Sequence, residues 1–230
     1  MSDNFTAEEV KNDHLVKLGE ELGSLYHGLW NELARLYSKW DEYVELFGTK
    51  PSRLELLNNS APLFFRTVQE SLWESTLIHI TRITDPPKSC GKDNLSITRL
   101  PFLVDEKLKD VISERIDVAI EKSKFCRDWR NRRIAHNDLS LALGSGAVPL
   151  EPASRAKIKD ALKCIASVLN TIEEHYMDST MDFNVIKVAC GAEALLYVLN
   201  DGLMAEKERK IRIENRTYTP VNDRPNGATL

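Results

Sequence analysis

The chain has 230 residues, of which 42% are hydrophobic and 29% charged, the composition of a soluble globular protein. Ten glycines and nine prolines are few for this length, which disfavours a turn-rich all-β sandwich and suits long helices. A net charge of -4 excludes a histone-like basic coat for nucleic acid but leaves room for a local basic site. Cys90, Cys126, Cys164 and Cys190 form no Cys-x-x-Cys pair, so no zinc knuckle or redox motif is expected, only buried reduced thiols. The start, Met1-Ser2-Asp3-Asn4, is polar and does not read as a secretory signal. The most apolar stretch, Phe183 to Leu199, carries Lys187 and Glu193 and falls short of the roughly 18 uncharged residues of a membrane span. The expectation is a cytoplasmic protein without membrane contact.

Thr6 and Glu9 have capping-box spacing and predict a helix start. Leu15, Leu18, Leu22, Leu25, Leu29, Leu33, Leu36 and Trp40 then recur in steps of three and four, one helical stripe running to about Phe47. Gly48 suits a left-handed stop. Gly19, Gly23 and Gly28 read first as sites of close approach by a neighbouring helix and second as a hinge. Pro51-Ser52 opens a short helical piece. Pro62 suits the first turn of a longer helix whose stripe includes Phe65, Val68, Leu72, Trp73, Thr76, Ile80 and Ile83. Asp85-Pro86-Pro87 ends it. Lys88 to Asp93 reads as a loop, and Asn94 to Leu103 contains a short helix interrupted near Pro101.

Asp105 caps the next long helix, with Leu108, Ile112, Ile116, Ala119 and Cys126 on one stripe and an end near His136. Leu139 to Pro152 reads as a flexible connection. Ser154 begins a helix with Ile158, Ala161, Leu162, Ile165 and Leu169 facing inward, ending near Tyr176. The last helix is expected from about Asp182, carrying Val185, Val188, Ala189, Ala192, Leu196 and Leu199, as core plus dimer surface. No strand is predicted; Lys210 to Ile213 alternates but is too short and too charged. The fold class is therefore all-α: an antiparallel helical bundle of long up-and-down helices with a short extra helix. Residues 1–214 are read as one domain and residues 215–230 as a poorly ordered tail.

Residues 121–138 are locally basic, with Lys122, Lys124, Arg127, Arg130, Arg132 and Arg133. Cations favoured at a helix C-terminus by the macrodipole are one explanation. Helical phase adds a second. At about 100° per residue, Arg130 points the same way as Ile112, on the apolar stripe one step beyond Cys126. A guanidinium there needs an acid, such as Glu74 or Asp85, or an anionic ligand in a cleft. A planar guanidinium suits phosphate. His136 lies six residues on, about 120° round and about 9 Å along an unbroken helix. In that geometry Arg133 lies between the two and Trp129 underlies His136. A histidine side chain exchanges protons near neutral pH, which suits general acid–base work. His14, His27, His79 and His175 have no comparable neighbours and read as structural or surface residues.

Arg130-Asn131 followed by four residues and His136 resembles the motif of the HEPN superfamily, an Arg, four to six residues, and a His, often with a polar residue after the Arg. Trp129-Arg-Asn-Arg-Arg-Ile-Ala-His136-Asn-Asp138, with Arg82-Ile-Thr-Asp-Pro-Pro and Gly91-Lys-Asp-Asn-Leu-Ser96 upstream, is most similar to the abortive-infection U-type branch, over roughly residues 10 to 200. The resemblance implies a HEPN-like bundle pairing as a homodimer, with two motifs across one cleft. It implies a metal-independent endoribonuclease serving as a toxin or in phage defence. Arg130, Asn131 and His136 would be catalytic, and Lys124, Arg127, Arg132 and Arg133 would contact RNA. The products would carry 2′,3′-cyclic phosphate and 5′-hydroxyl ends. No metal or other cofactor is implied; an antitoxin or regulatory partner is. Members regulated by nucleotide transfer carry a Tyr where this chain has Asp138, which argues against that route. Two alternatives stay open: a non-catalytic HEPN-like module binding RNA, a nucleotide or a protein, and a helical scaffold in which Arg130 is only ion-paired.

Overall fold

The computed structural model describes residues 6–144, 146–185 and 190–217. Val188, Ala189 and the tail beyond Thr217 lie outside the described residues. The fold is an all-α helical bundle. The chain divides into two compact units, one of residues 1–40 and 71–187, the other of residues 41–70 and 188–230. No helix among the described residues is long and apolar enough to cross a membrane.

In the first unit, α1 (Ala7–Leu18) opens on the expected capping box, the Thr6 side chain accepting from the Glu9 N–H and Glu9 reaching back to the Thr6 N–H. The single helix expected to Phe47 is two. Gly19, at φ 79°, ends α1, and α2 (Glu20–Phe47) turns back against it. Gly19 is thus the bend between the two helices, a conformation glycine adopts without a Cβ penalty. Gly23 and Gly28 are close approaches. A Cβ on Gly23 would lie 2.7 Å from the His14 carbonyl oxygen and 2.9 Å from Leu15 Cα; one on Gly28 would lie 3.1 Å from Leu95 Cδ1. Gly23→Ala is expected to destabilise the protein by about 1–3 kcal/mol, because backbone cannot yield as a side chain can. Urea unfolding measures it, and a neutral or stabilising result, the sign helix propensity alone predicts, would refute the close approach. The helix ends at Phe47 as expected, without the left-handed stop: Gly48 continues the bonding, its N–H to Val44 O at 2.7 Å.

The α2 stripe buries Leu22, Tyr26, Leu29, Leu33, Leu36 and Trp40. Helix α4 (Pro62–Ile83) starts at its proline and stops before Pro86 as predicted, burying Leu77, Ile80 and Ile83. It runs antiparallel to α2: Glu32 meets His79, and Lys39 meets the Ser75 carbonyl. The presumed loop after it contains a two-residue hairpin, β1 (Lys88–Ser89) with β2 (Lys92–Asp93), Lys88 opposite Asp93. Its turn, Cys90-Gly91, has both residues at positive φ, which matches the right-handed strand twist. A 3₁₀ turn, Ile97–Phe102, carries Pro101 inside it.

Helix α5 (Glu106–Trp129) buries Leu108, Ile112, Ile116, Ala119 and Cys126, the predicted stripe. Asp105 sits at its N-terminus but makes no side-chain cap bond there. A short α6 (Leu139–Leu143) precedes α7 (Arg155–Met177), which Ser154 caps. Helices α5 and α7 are antiparallel neighbours, with Asp105 beside Tyr176 and Phe125 beside Lys157. The buried face of α7 includes Ile158, Ala161, Leu162, Ile165 and Leu169, as read from sequence.

The helix expected from Asp182 begins ten residues later. Asp182 Oδ1 accepts from the Asn184 N–H at 2.9 Å and starts a 3₁₀ turn, Phe183–Val185. Phe183 is buried, stacked on Tyr37 with ring centroids 5.5 Å apart. Cys190 then adopts a positive φ, and the second unit's α8 runs Ala192–Glu214, taking in Lys210 to Ile213. The Glu42 carboxylate accepts the Ala192 N–H at 2.6 Å, an anion at a helix N-terminus. In this unit α8 packs on α3 (Pro51–Ser60), with Leu57, Phe65 and Leu196 buried. The thiols correct one expectation: Cys126 is buried, but Cys90 and Cys190 are exposed and Cys164 is half-buried; none is in a disulfide.

Candidate active site

The site is assembled where α4 ends and α5 loses its α-helical geometry. Proline at 86 and 87 cannot continue α4, so its last carbonyls need other donors. The fully buried Ser96 supplies one: its Oγ lies 3.0 Å from the Ile83 carbonyl oxygen and 2.5 Å from that of Asp85. Thr98 Oγ1 donates to the same Asp85 carbonyl at 2.9 Å. Asp85 is therefore held by its backbone, and its carboxylate faces the C-terminus of α5.

Two guanidinium groups share that carboxylate. Arg127 Nη1 donates to Asp85 Oδ1 at 2.5 Å, and its Nη2 donates to the Thr84 carbonyl at 3.1 Å. Arg130 Nη1 lies 3.1 and 3.2 Å from the two Asp85 oxygens. Arg130 Nε donates to Asn131 Oδ1 at 3.0 Å. The side chains of Arg130 and Arg127 are 27% and 32% exposed, that of Asp85 20%, so the cluster is half-open to solvent. Helical phase thus gave the direction of Arg130 and not its depth. Of the two acids considered as partners, Asp85 is the one used.

Beyond Trp129 the chain closes a π turn, Arg130–Ile134, with the Ala135 N–H donating to Arg130 O at 2.8 Å. Such turns insert one extra residue and are frequent at functional sites. The angular relation drawn for an unbroken helix therefore does not hold for His136. His136 is exposed, and no side chain among the described residues bonds it. Trp129 packs at 6.4 Å against Trp73 and carries the Arg133 guanidinium, 5.8 Å from its ring centroid, where it was expected to underlie His136. Asp138, in the position of the missing Tyr, accepts the Leu141 N–H at 3.1 Å and caps α6.

The remaining basic residues divide. Arg132 donates to Val148 O at 2.5 Å and to Asp128 at 3.3 Å, while Trp129 Nε1 donates to Glu151 O at 2.8 Å. These bonds tie down the connection expected to be flexible. Lys124 pairs with Glu121 on the exposed face of α5. Arg133, outside its ring contact, faces solvent. A hollow of about 480 Å³ farther along α5 sets Lys122, Lys124 and Lys157 against Glu121, Glu151 and Asp160, a balanced lining. Among the described residues, no three His, Cys, Asp or Glu side chains converge where a metal ion would sit. Sequence reasoning did not see Asp85 as the hub of two arginines; its only signal was an acid placed between a helix end and two prolines.

The HEPN_AbiU2 family (AbiU2) matches residues 19–188, which include both the motif and the Asp85 segment. The chain belongs to the HEPN_AbiU2 family. It is thereby an abortive-infection-related HEPN module. Comparison with curated proteins and with solved structures returned no match.

Proposed function

We propose that this HEPN_AbiU2 protein is a metal-independent endoribonuclease, working as a homodimer in phage defence or as a toxin. The observation that carries the reading is the pairing, within one motif, of a guanidinium held by Asn131 and Asp85 with an exposed histidine that no side chain among the described residues bonds. Arg130 binds the scissile phosphate and steadies its developing charge. Asn131 fixes the Nε side of that guanidinium. His136 takes the proton of the attacking 2′-hydroxyl or delivers one to the leaving 5′-oxygen. The P–O5′ bond breaks as the P–O2′ bond forms, leaving a 2′,3′-cyclic phosphate and a 5′-hydroxyl. Because the nucleophile belongs to the RNA, DNA and 2′-O-methyl RNA are not cleaved.

The test is incubation of the purified chain with tRNA, rRNA and mRNA in EDTA, followed by analysis of the ends. Cleavage to cyclic phosphate ends is expected; intact RNA in every pool would sink the reading. A specific observation favours a second one, a binding module: Arg130 already has a carboxylate partner within the chain. RNA-dependent thermal stabilisation without turnover would select it.

A further inference from the structure

We infer that Asp85 is the positioning residue of the Arg130 site, setting which edge of the guanidinium meets a phosphodiester. The inference rests on the proposed role of Arg130 in binding phosphate. A guanidinium is rigid and planar with five N–H groups, so fixing two of its nitrogens fixes the third. Here Nε is engaged by Asn131 and Nη1 by both Asp85 oxygens. Nη2 has no hydrogen-bond partner among the described residues, and its two N–H groups are the ones left for a ligand.

Charge points the same way. A salt bridge that only neutralises matches one cation to one anion. Asp85 serves both Arg127 and Arg130, so the cluster keeps a surplus of one positive charge at a half-open surface. A phosphodiester carries one negative charge and completes the balance. The support behind Asp85 is rigid: Ser96 and Thr98 hold its carbonyl, and Pro86 follows it. Donors locked in place before the ligand arrives are what stabilisation of a transition state requires.

Asp85→Asn keeps the shape, removes the charge and loosens the hold on Arg130. The expected result is a split. Turnover of a cleavable RNA falls on the order of 10–100-fold, the cost of misplacing a reacting group. Affinity for 2′-O-methyl RNA, which cannot be cut, stays equal or tightens, because the cluster gains a positive charge. A kcat within about twofold of wild type overturns the proposal, as does parallel loss of turnover and binding. If Asp85→Asn does not fold, Asp85→Glu takes its place, with kcat lowered and binding kept; full kcat in that variant overturns the proposal. An arm independent of activity uses ¹⁵N NMR of arginine side chains, with Arg130 assigned through Arg130→Lys. Slow rotation of the Arg130 guanidinium in the wild type, lost in Asp85→Asn, supports positioning; equal rotation in both overturns it. Should no RNA be cleaved by the wild type, the nuclease reading fails and the NMR arm still decides the role of Asp85.

Discussion

Arg130→Ala is expected to lower RNA cleavage on the order of 10²–10³-fold, the loss seen when one donor to a developing oxyanion is removed. Its cost in stability should be only about 1 kcal/mol. The two effects separate because of what remains. Breaking a buried ion pair costs roughly 3–5 kcal/mol when it strands a charge. Asp85 is not stranded, since Arg127 stays 2.5 Å from its Oδ1 and Ser96 and Thr98 still hold its backbone. Arg130 is also partly exposed, which weakens the pair. Single-turnover cleavage and urea unfolding of the same variant measure both quantities. A stability loss above about 3 kcal/mol with RNA handling unchanged would make Arg130 a structural link. His136→Ala sharpens the comparison, because an exposed side chain without bonds among the described residues contributes less than about 0.5 kcal/mol to stability. Its expected cost appears in rate alone, about 10²–10⁴-fold.

Much of the fold was legible because helix ends are written locally. Thr6 with Glu9, Pro62, Asp85-Pro86-Pro87 and Ser154 each act on backbone groups within a few residues, and each marks a boundary in the structure. The glycines of α1 and α2 show the limit of such reading. Gly19, Gly23 and Gly28 look alike in sequence, yet one bends the chain at positive φ and two meet neighbouring atoms. Only the tertiary partner distinguishes them. The delayed start of α8 has the same origin: Val185 fits an apolar stripe, but Phe183 is buried in a 3₁₀ turn and Cys190 is left-handed.

The candidate site was legible in its residues and not in its geometry. Periodicity gave Arg130 its direction from Ile112. It could not give the exchange of an α turn for a π turn after Trp129, which moves His136 out of the assumed phase. Nor could it show that Arg127 and Arg132 are spent on Asp85 and on the Val148 carbonyl. These are contacts across 42 and 16 positions of sequence, with no local signature.

Acidification to pH 5 is expected to remove about 2 kcal/mol of stability through His79 alone. This histidine is 5% exposed, and its Nε2 lies 2.9 Å from Glu32 Oε2. Burial is the main force on it, reinforced by the Lys39 charge and opposed by Glu32, and together they push its pKa down to about 4. Arg82 adds a smaller push in the same direction. Unfolded, the side chain titrates near 6.5, so the folded state binds fewer protons between those values. The stabilisation is therefore complete above pH 6.5 and is lost as pH falls toward 4, reaching about 3 kcal/mol in all. Burial lowers the pKa of His14 and His27 too, so wild-type unfolding alone does not isolate the effect. The difference between wild type and His79→Gln does, because only one of the pair carries the titrating group. Urea unfolding of both from pH 7.5 to 5 should give curves that converge as pH falls. Parallel curves would show that protonating His79 costs the fold nothing. Convergence would also fix its role: at neutral pH His79 is an uncharged donor holding Glu32 between α2 and α4.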